Sequence, residues 1–201
     1  MLRHFTLSLA LVFASAAPAA AATTVYASGV YSQGGSVANL ANGFGAANGA
    51  FARIGNSFSI FGLTIGQAGE AVYSFTDALS GESLQLTGIG GAPGTPLVFV
   101  SIGELVGGVA VFSAETSFTG GAGVFTFDLS TQCALVSSAG CSLVRVRTAA
   151  GFGRGAFRLD GVSGVGAAPE PAAWALMLIG FGGLALRLKR ARRGERGLTI
   201  A

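Results

Sequence analysis

Leu143-Val144-Arg145-Val146-Arg147 and, a few residues on, Ala156-Phe157-Arg158-Leu159-Asp160-Gly161-Val162 alternate apolar and charged side chains. A period of two is that of a half-buried strand. It sends Val144, Val146, Phe157 and Leu159 to a core, and Arg145, Arg147, Arg158 and Asp160 to water. The glycines of 151–155 read as the turn of an antiparallel hairpin, in which Asp160 meets Arg145 or Arg147 across the pair.

Working outward, similar short segments recur at Val25–Tyr31, Ser57–Ile65, Ala71–Thr76, Ser83–Thr87, Leu97–Ile102, Gly108–Ala114 and Gly123–Leu129. Gly, Pro or Asn punctuates the gaps, and residues 32–56 form a Gly/Ala/Asn-rich stretch with turn signals at Asn42-Gly43 and Asn48-Gly49. No segment of the body has a convincing 3.6-residue period. Regularly spaced strands without helices predict an all-β, single antiparallel β-sandwich. Gly151-Phe152-Gly153-Arg154-Gly155-Ala156 fits a phosphate-loop spacing, but a strand rather than a helix follows it, so it reads as a turn.

The body, residues 23–166, carries five arginines (53, 145, 147, 154, 158) against seven acids, a net charge of −2. The overall pI of 9.3 therefore belongs to the C-terminal tail. Nucleic-acid binding needs cations clustered on one surface, and none is expected here. The single histidine, His4, lies at the extreme N-terminus, so the body has no imidazole for a nucleophilic triad or a zinc site. No enzyme and no cofactor are expected. Asp128 and Asp160 are candidate ligand or calcium positions, although no Asp-x-Asp-x-Asp run accompanies them and solvated strand residues are the plainer reading. Cys133 and Cys141, the only cysteines, are eight residues apart and are expected to form a disulfide in an oxidising compartment.

Both ends of the chain carry targeting features. Met1-Leu2-Arg3-His4, an apolar run from Phe5 to Ala14 and small residues closing at Ala20-Ala21-Ala22 predict a cleavable signal peptide over 1–22. At the other end, Pro169-Glu170-Pro171 precedes Trp174 and an apolar stretch from Ala172 to Leu186. Arg187, Lys189, Arg190, Arg192, Arg193 and Arg196 follow, against one acid, Glu195. The stretch is near the minimum spanning length of roughly 17 residues, and the cations mark and hold a cytoplasmic end. This arrangement resembles the PEP-CTERM sorting signal of bacteria, in its PEPxxWA variant. The resemblance implies a sorting segment over 167–193, a cytoplasmic tail over 194–201 and recognition of Pro169, Glu170, Pro171 and Trp174 by an exosortase-type processing enzyme. Signal peptidase and the membrane are the other implied partners. The body is then periplasmic while the chain spans the inner membrane once, and reaches the cell surface or the outside after sorting.

The closing Phe157-Arg158-Leu159-Asp160-Gly161-Val162-Ser163 also looks like the last strand of carbohydrate-binding jelly rolls, where an Asp-x-Val-Ser segment recurs. The sequence thus predicts a jelly-roll-like exported envelope or extracellular-matrix protein, structural or adhesive in an exopolysaccharide or biofilm setting. The alternative is a carbohydrate-binding module with polysaccharide as its partner. N-terminal sequencing of the envelope-associated protein is expected to begin at or near Thr23, cleavage after Ala21 or Ala19 being the alternatives; recovery of intact Met1 would contradict a cleaved signal.

Overall fold

The computed structural model describes residues 22–90, 92–167 and 181–182. The signal segment up to Ala21, the motif Pro169, Glu170, Pro171 and Trp174, and the cations Arg187, Lys189, Arg190, Arg192 and Arg193 lie outside them. Among the described residues no helix is long and apolar enough to cross a membrane.

Residues Ala22–Ala167 form one compact unit, built from two antiparallel sheets. The first runs in the order β12 (Gly123–Phe127), β8 (Leu84–Ile89), β15 (Phe157–Val165), β4 (Ala52–Ile54) and β3 (Val37–Ala38), with β1 (Thr24–Tyr26) also against β15. The second runs β10 (Val109–Phe112), β9 (Leu97–Val106), β13 (Cys141–Thr148), β7 (Gly69–Leu79) and β2 (Gly29–Gly35), with β11 (Thr116–Thr119) also against β9. A small third sheet joins β14 (Gly151–Phe152), β6 (Leu63–Gln67) and β5 (Asn56–Ile60).

The alternation read from the sequence holds for the core. Val144 and Val146 face Ile54, Leu86, Phe157, Leu159 and Val162 in one buried cluster that also takes Val98, Val100, Ile102 and Tyr73. Each such side chain contributes roughly 1.5–3 kcal/mol by leaving water. Phe118, Phe125, Phe127 and Phe157 pack edge-on or tilted at centroid distances of 4.7–6.2 Å, closing one end of the layer. The Tyr73 hydroxyl is buried with no partner, and burial pushes its ionisation above the ordinary tyrosine range.

The hairpin is a correction. β13 and β15 do not pair: β13 lies between β7 and β9 in the second sheet, and β15 between β8 and β4 in the first. The intervening residues carry the chain across the sandwich, with β14 pairing outward to β6. Three further readings change. Val25–Tyr31 is split between β1 and β2 in different sheets, and Ser57–Ile65 is a hairpin turning at Phe61-Gly62. A short helix, α1 (Ser130–Val136), stands where no helical period was legible. It carries Cys133, which is bonded to Cys141 at a Cα separation of 5.9 Å, as the spacing had suggested.

Asp160 is also not where the sequence put it. It sits at the register shift of β15 between Leu159 and Gly161 and is only 5% exposed. Its carboxylate accepts the backbone N–H groups of Asn48 and Gly49 at 3.0 and 3.1 Å. It therefore pins the 45–50 loop to the first sheet. Asp160→Ala strands two donors and is expected to cost about 1–3 kcal/mol. Urea unfolding of the variant measures this, and an unshifted midpoint would show the loop contact to be idle.

Candidate binding face on the second sheet

The outward side chains of β13 stand at the centre of the second sheet, and register sets their neighbours. Arg147 lies between Glu70 of β7 and Phe99 of β9, Arg145 between Val72 and Ser101, and Leu143 between Ser74 and Gly103. Phe112 of β10 is opposite Gly103. A Cβ at Gly103 would lie 2.6 Å from the Phe112 ring, so only glycine leaves the ring room to lie across the strand.

Glu115, from the loop joining β10 to β11, organises this row. Arg145 Nη2 lies 3.3 Å from its Oε1, and Arg147 donates to both oxygens, from Nε at 3.1 Å and from Nη2. Arg145 Nε also donates to Ser101 Oγ at 3.2 Å. Each guanidinium lies over an aromatic face, Arg145 at 4.5 Å from the Phe112 centroid and Arg147 at 4.7 Å from Phe99. Stacking and the fork fix both planes, which a flexible ammonium would not achieve. The cluster stays in contact with water, the Arg147 side chain being 40% exposed and that of Glu115 25%.

Toward the β2 edge the surface is lined by hydroxyls. Ser28 donates to the Ser74 carbonyl and receives the Thr76 hydroxyl. Tyr31, the extra residue of the β2 register shift, is exposed at that edge. The face thus sets two guanidiniums on aromatic rings over the buried Leu143, Val72 and Ser101, with hydroxyls along its flank.

Sequence reasoning picked out Arg145 and Arg147 as solvent-facing but gave them Asp160 as partner. It missed Glu115, Phe99 and Phe112. The phenylalanines of the body looked core-like, whereas these two lie outside, under the arginines. A signal existed at β9: Leu97, Phe99 and Ser101 share one parity, and Val98, Val100 and Ile102 the other, so one of two apolar faces had to be the outer one.

Asp128 follows β12 and takes the backbone N–H and hydroxyl of Ser130 at 3.1 and 2.6 Å, bonds that hold its carboxyl below the usual range. Register puts it about four residues along and two strands across from Asp160, on the order of 15 Å. The structure does not bring these two acids together. Among the described residues no three metal-ligating side chains cluster. An opening between Gly90, Thr95, Gly120 and Arg158 holds about 100 Å³, well below the roughly 300 Å³ at which small-molecule pockets begin.

No protein-family model and no curated protein matches the chain. Among solved structures it is similar to the solution structure of the carbohydrate-binding module CtCBM11, with 13% identity and a TM-score of 0.38 over 76% of this chain and all of that one. It is also similar to a family 11 carbohydrate-binding module from Clostridium thermocellum in complex with a β-1,3-1,4-mixed-linked tetrasaccharide. There the identity is 14% and the TM-score 0.35, over 72% of this chain and 96% of that one. Both likenesses are weak, and the reading below rests on the face itself.

The Arg147 hydrogen bond holds the Glu115 carboxyl below its ordinary pKa; burial pushes the other way, and the charges of Arg147 and then Arg145 add to the lowering. A depressed folded-state pKa contributes stability that is complete above the unfolded value and is lost as pH falls through the folded one. Glu115→Gln is therefore expected to cost up to about 1 kcal/mol at pH 7 and progressively less at an acidic pH, as the wild-type carboxyl itself takes up a proton. Urea unfolding at the two pH values checks this; an equal difference at both would mean the ion pairs contribute nothing.

Proposed function

We propose that this chain is an exported envelope protein whose body is a jelly-roll-type binding module for polysaccharide. The observation that carries the reading is the Arg145–Glu115–Arg147 cluster stacked on Phe112 and Phe99. Sugar rings offer pairs of neighbouring hydroxyls and, in acidic polymers, carboxylates. Fixed guanidinium forks match both, and a rigid strand surface binds them without ordering a loop first. An open strand face with a hydroxyl-lined flank suits an extended chain better than an enclosed small molecule. The tail complements this reading. A PEP-type motif, an apolar stretch and a cationic stop would carry the module through the membrane to an exosortase-type enzyme, and so to the surface or matrix where such polymers accumulate. The structural or adhesive role read from the sequence is then the consequence of holding polymer.

The test is affinity electrophoresis of the exported protein through gels containing the producing cell's own exopolysaccharide. Retardation is expected for the wild type. Arg145→Ala and Arg147→Ala are each expected to weaken binding about tenfold or more, equivalent to at least about 1.4 kcal/mol. Unaltered retardation in the double variant sinks the assignment of this face, and no retardation of the wild type sinks the function.

A further inference from the structure

The small third sheet has its amphipathicity reversed. Ile60 pairs with Leu63, and Ile65 pairs with both Phe58 and Phe152, so these five side chains share one face. Ser57, Ser59, Thr64 and Gly66 occupy the other. It is the hydroxyl face that turns to the protein. Ser57 donates to the Pro93 carbonyl at 3.1 Å, and a Cβ on Gly66 would lie 2.6 Å from the Arg154 carbonyl oxygen. The apolar face is left to water, with Phe58, Ile60, Leu63 and Phe152 between 40 and 78% exposed.

The turn compounds the cost. Phe61 and Gly62 have φ of +51° and +80°, the left-handed pair of a two-residue hairpin in which Asn-Gly is the usual choice. Phe61 is a bulky residue in a conformation that costs roughly 1–2 kcal/mol, and its ring is fully exposed, at 101%. Neither the backbone nor the side chain has a reason to be there in an isolated molecule.

We infer that this flap is a self-association surface, covered by the same flap of a second copy of the chain, apolar face to apolar face. Three observations select that occupant. Between Arg53 and Glu70 no side chain is ionisable, so two identical faces meet without like-charge repulsion, and nothing there attracts a charged partner. With about 200 Å² per aromatic side chain, the exposures leave on the order of 600 Å² of apolar surface on each copy. That is at the top of what a monomer ordinarily tolerates, and two copies bury roughly 1,200 Å², the lower edge of a stable interface. A bilayer, by contrast, would take in the whole tip of the hairpin, including the exposed Ser59 and half-buried Thr64, whose hydroxyls lie 3.3 Å apart. A partner that touches one face leaves them in place.

The experiment uses the full chain in the envelope of the producing cell. Both native cysteines are bonded to each other, so a single introduced thiol reports position. Leu63→Cys and Phe152→Cys are treated with a bismaleimide of about 10 Å span, the distance between stacked sheets. Val124→Cys, on the outer face of the first sheet and 59% exposed, is the control. Covalent dimer is expected from the first two and not from the control. Adding Phe58→Ser and Phe61→Asn to Leu63→Cys should lower the dimer yield at least tenfold without lowering the melting temperature, because Asn suits the left-handed turn. Equal cross-linking of Val124→Cys overturns the proposal. So does a monomeric Leu63→Cys, whether its thiol is freely labelled by maleimide or becomes shielded on addition of lipid vesicles, the latter pointing to a membrane instead.

Discussion

β13 and β15 are neighbours in the chain and occupy the middle of opposite sheets. Each is hydrogen-bonded along both edges, so neither can be lost without opening a sheet through its centre. Their inward residues meet across the layer, Val144 and Val146 from one side and Phe157, Leu159 and Val162 from the other. The link between them must cross the sandwich, and the glycines of 149–156 permit that crossing. Two features are left outside by this arrangement: the arginines of β13, on the solvent face of the second sheet, and the pairing of β14 with β6, which carries the flap.

With so few charges, the protein fixes most of those it has. Arg145 and Arg147 share Glu115. Glu104 accepts the backbone N–H and hydroxyl of Ser142 at 2.7 and 3.0 Å, joining β9 to β13 where the disulfide also ties α1. Arg158 lies over Phe51 and donates to the Gly90 carbonyl. Isolated surface pairs are worth little, but these are stacked on rings or shared by two partners, and their effect is to hold orientation. Among the described residues only the row around Glu115 collects two cations, an acid and two aromatic faces in the open. That concentration separates the second sheet's face from the rest of the surface.

The sequence made the facing of residues legible and their neighbours illegible. A period of two says which side of a strand Val144 or Arg145 takes, and both went where they were expected. It says nothing of which strand lies alongside, because pairing here joins residues tens of positions apart; Arg145, for instance, sits opposite Val72 and Ser101. The hairpin was inferred from proximity in sequence, and Asp160 was given to the arginines on the same ground. In fact the buried carboxylate answers to Asn48 and Gly49, more than 100 residues away. The turn at Phe61-Gly62 was hidden because phenylalanine is a strand former and rarely adopts a left-handed conformation. The seven-residue α1 is too short to establish a helical period. The cysteine pairing was legible because only one partner existed.

The polar face and the apolar flap are of different kinds, and their chemistry does not compete. One is wet and built of fixed donors, so the proposed contacts with sugar hydroxyls would replace water at modest gain per site. The other is apolar and, between Arg53 and Glu70, carries no ionisable side chain. Single weak sugar contacts on a polymer gain most from repetition, since a second tethered contact acts at millimolar effective concentration and raises avidity by roughly 10²–10⁴ when the spacing fits. The flap stands near Gly69, while the domain ends at Ala167, hydrogen-bonded beside Ala78. These are opposite ends of β7, an 11-residue strand roughly 35 Å long. Two copies joined at their flaps therefore hold their Ala167 ends at far poles and carry two copies of the Arg145–Arg147 face on one rigid body. If the face holds polysaccharide as proposed, a molecule of that form would bridge polymer chains where a monomer would only decorate them.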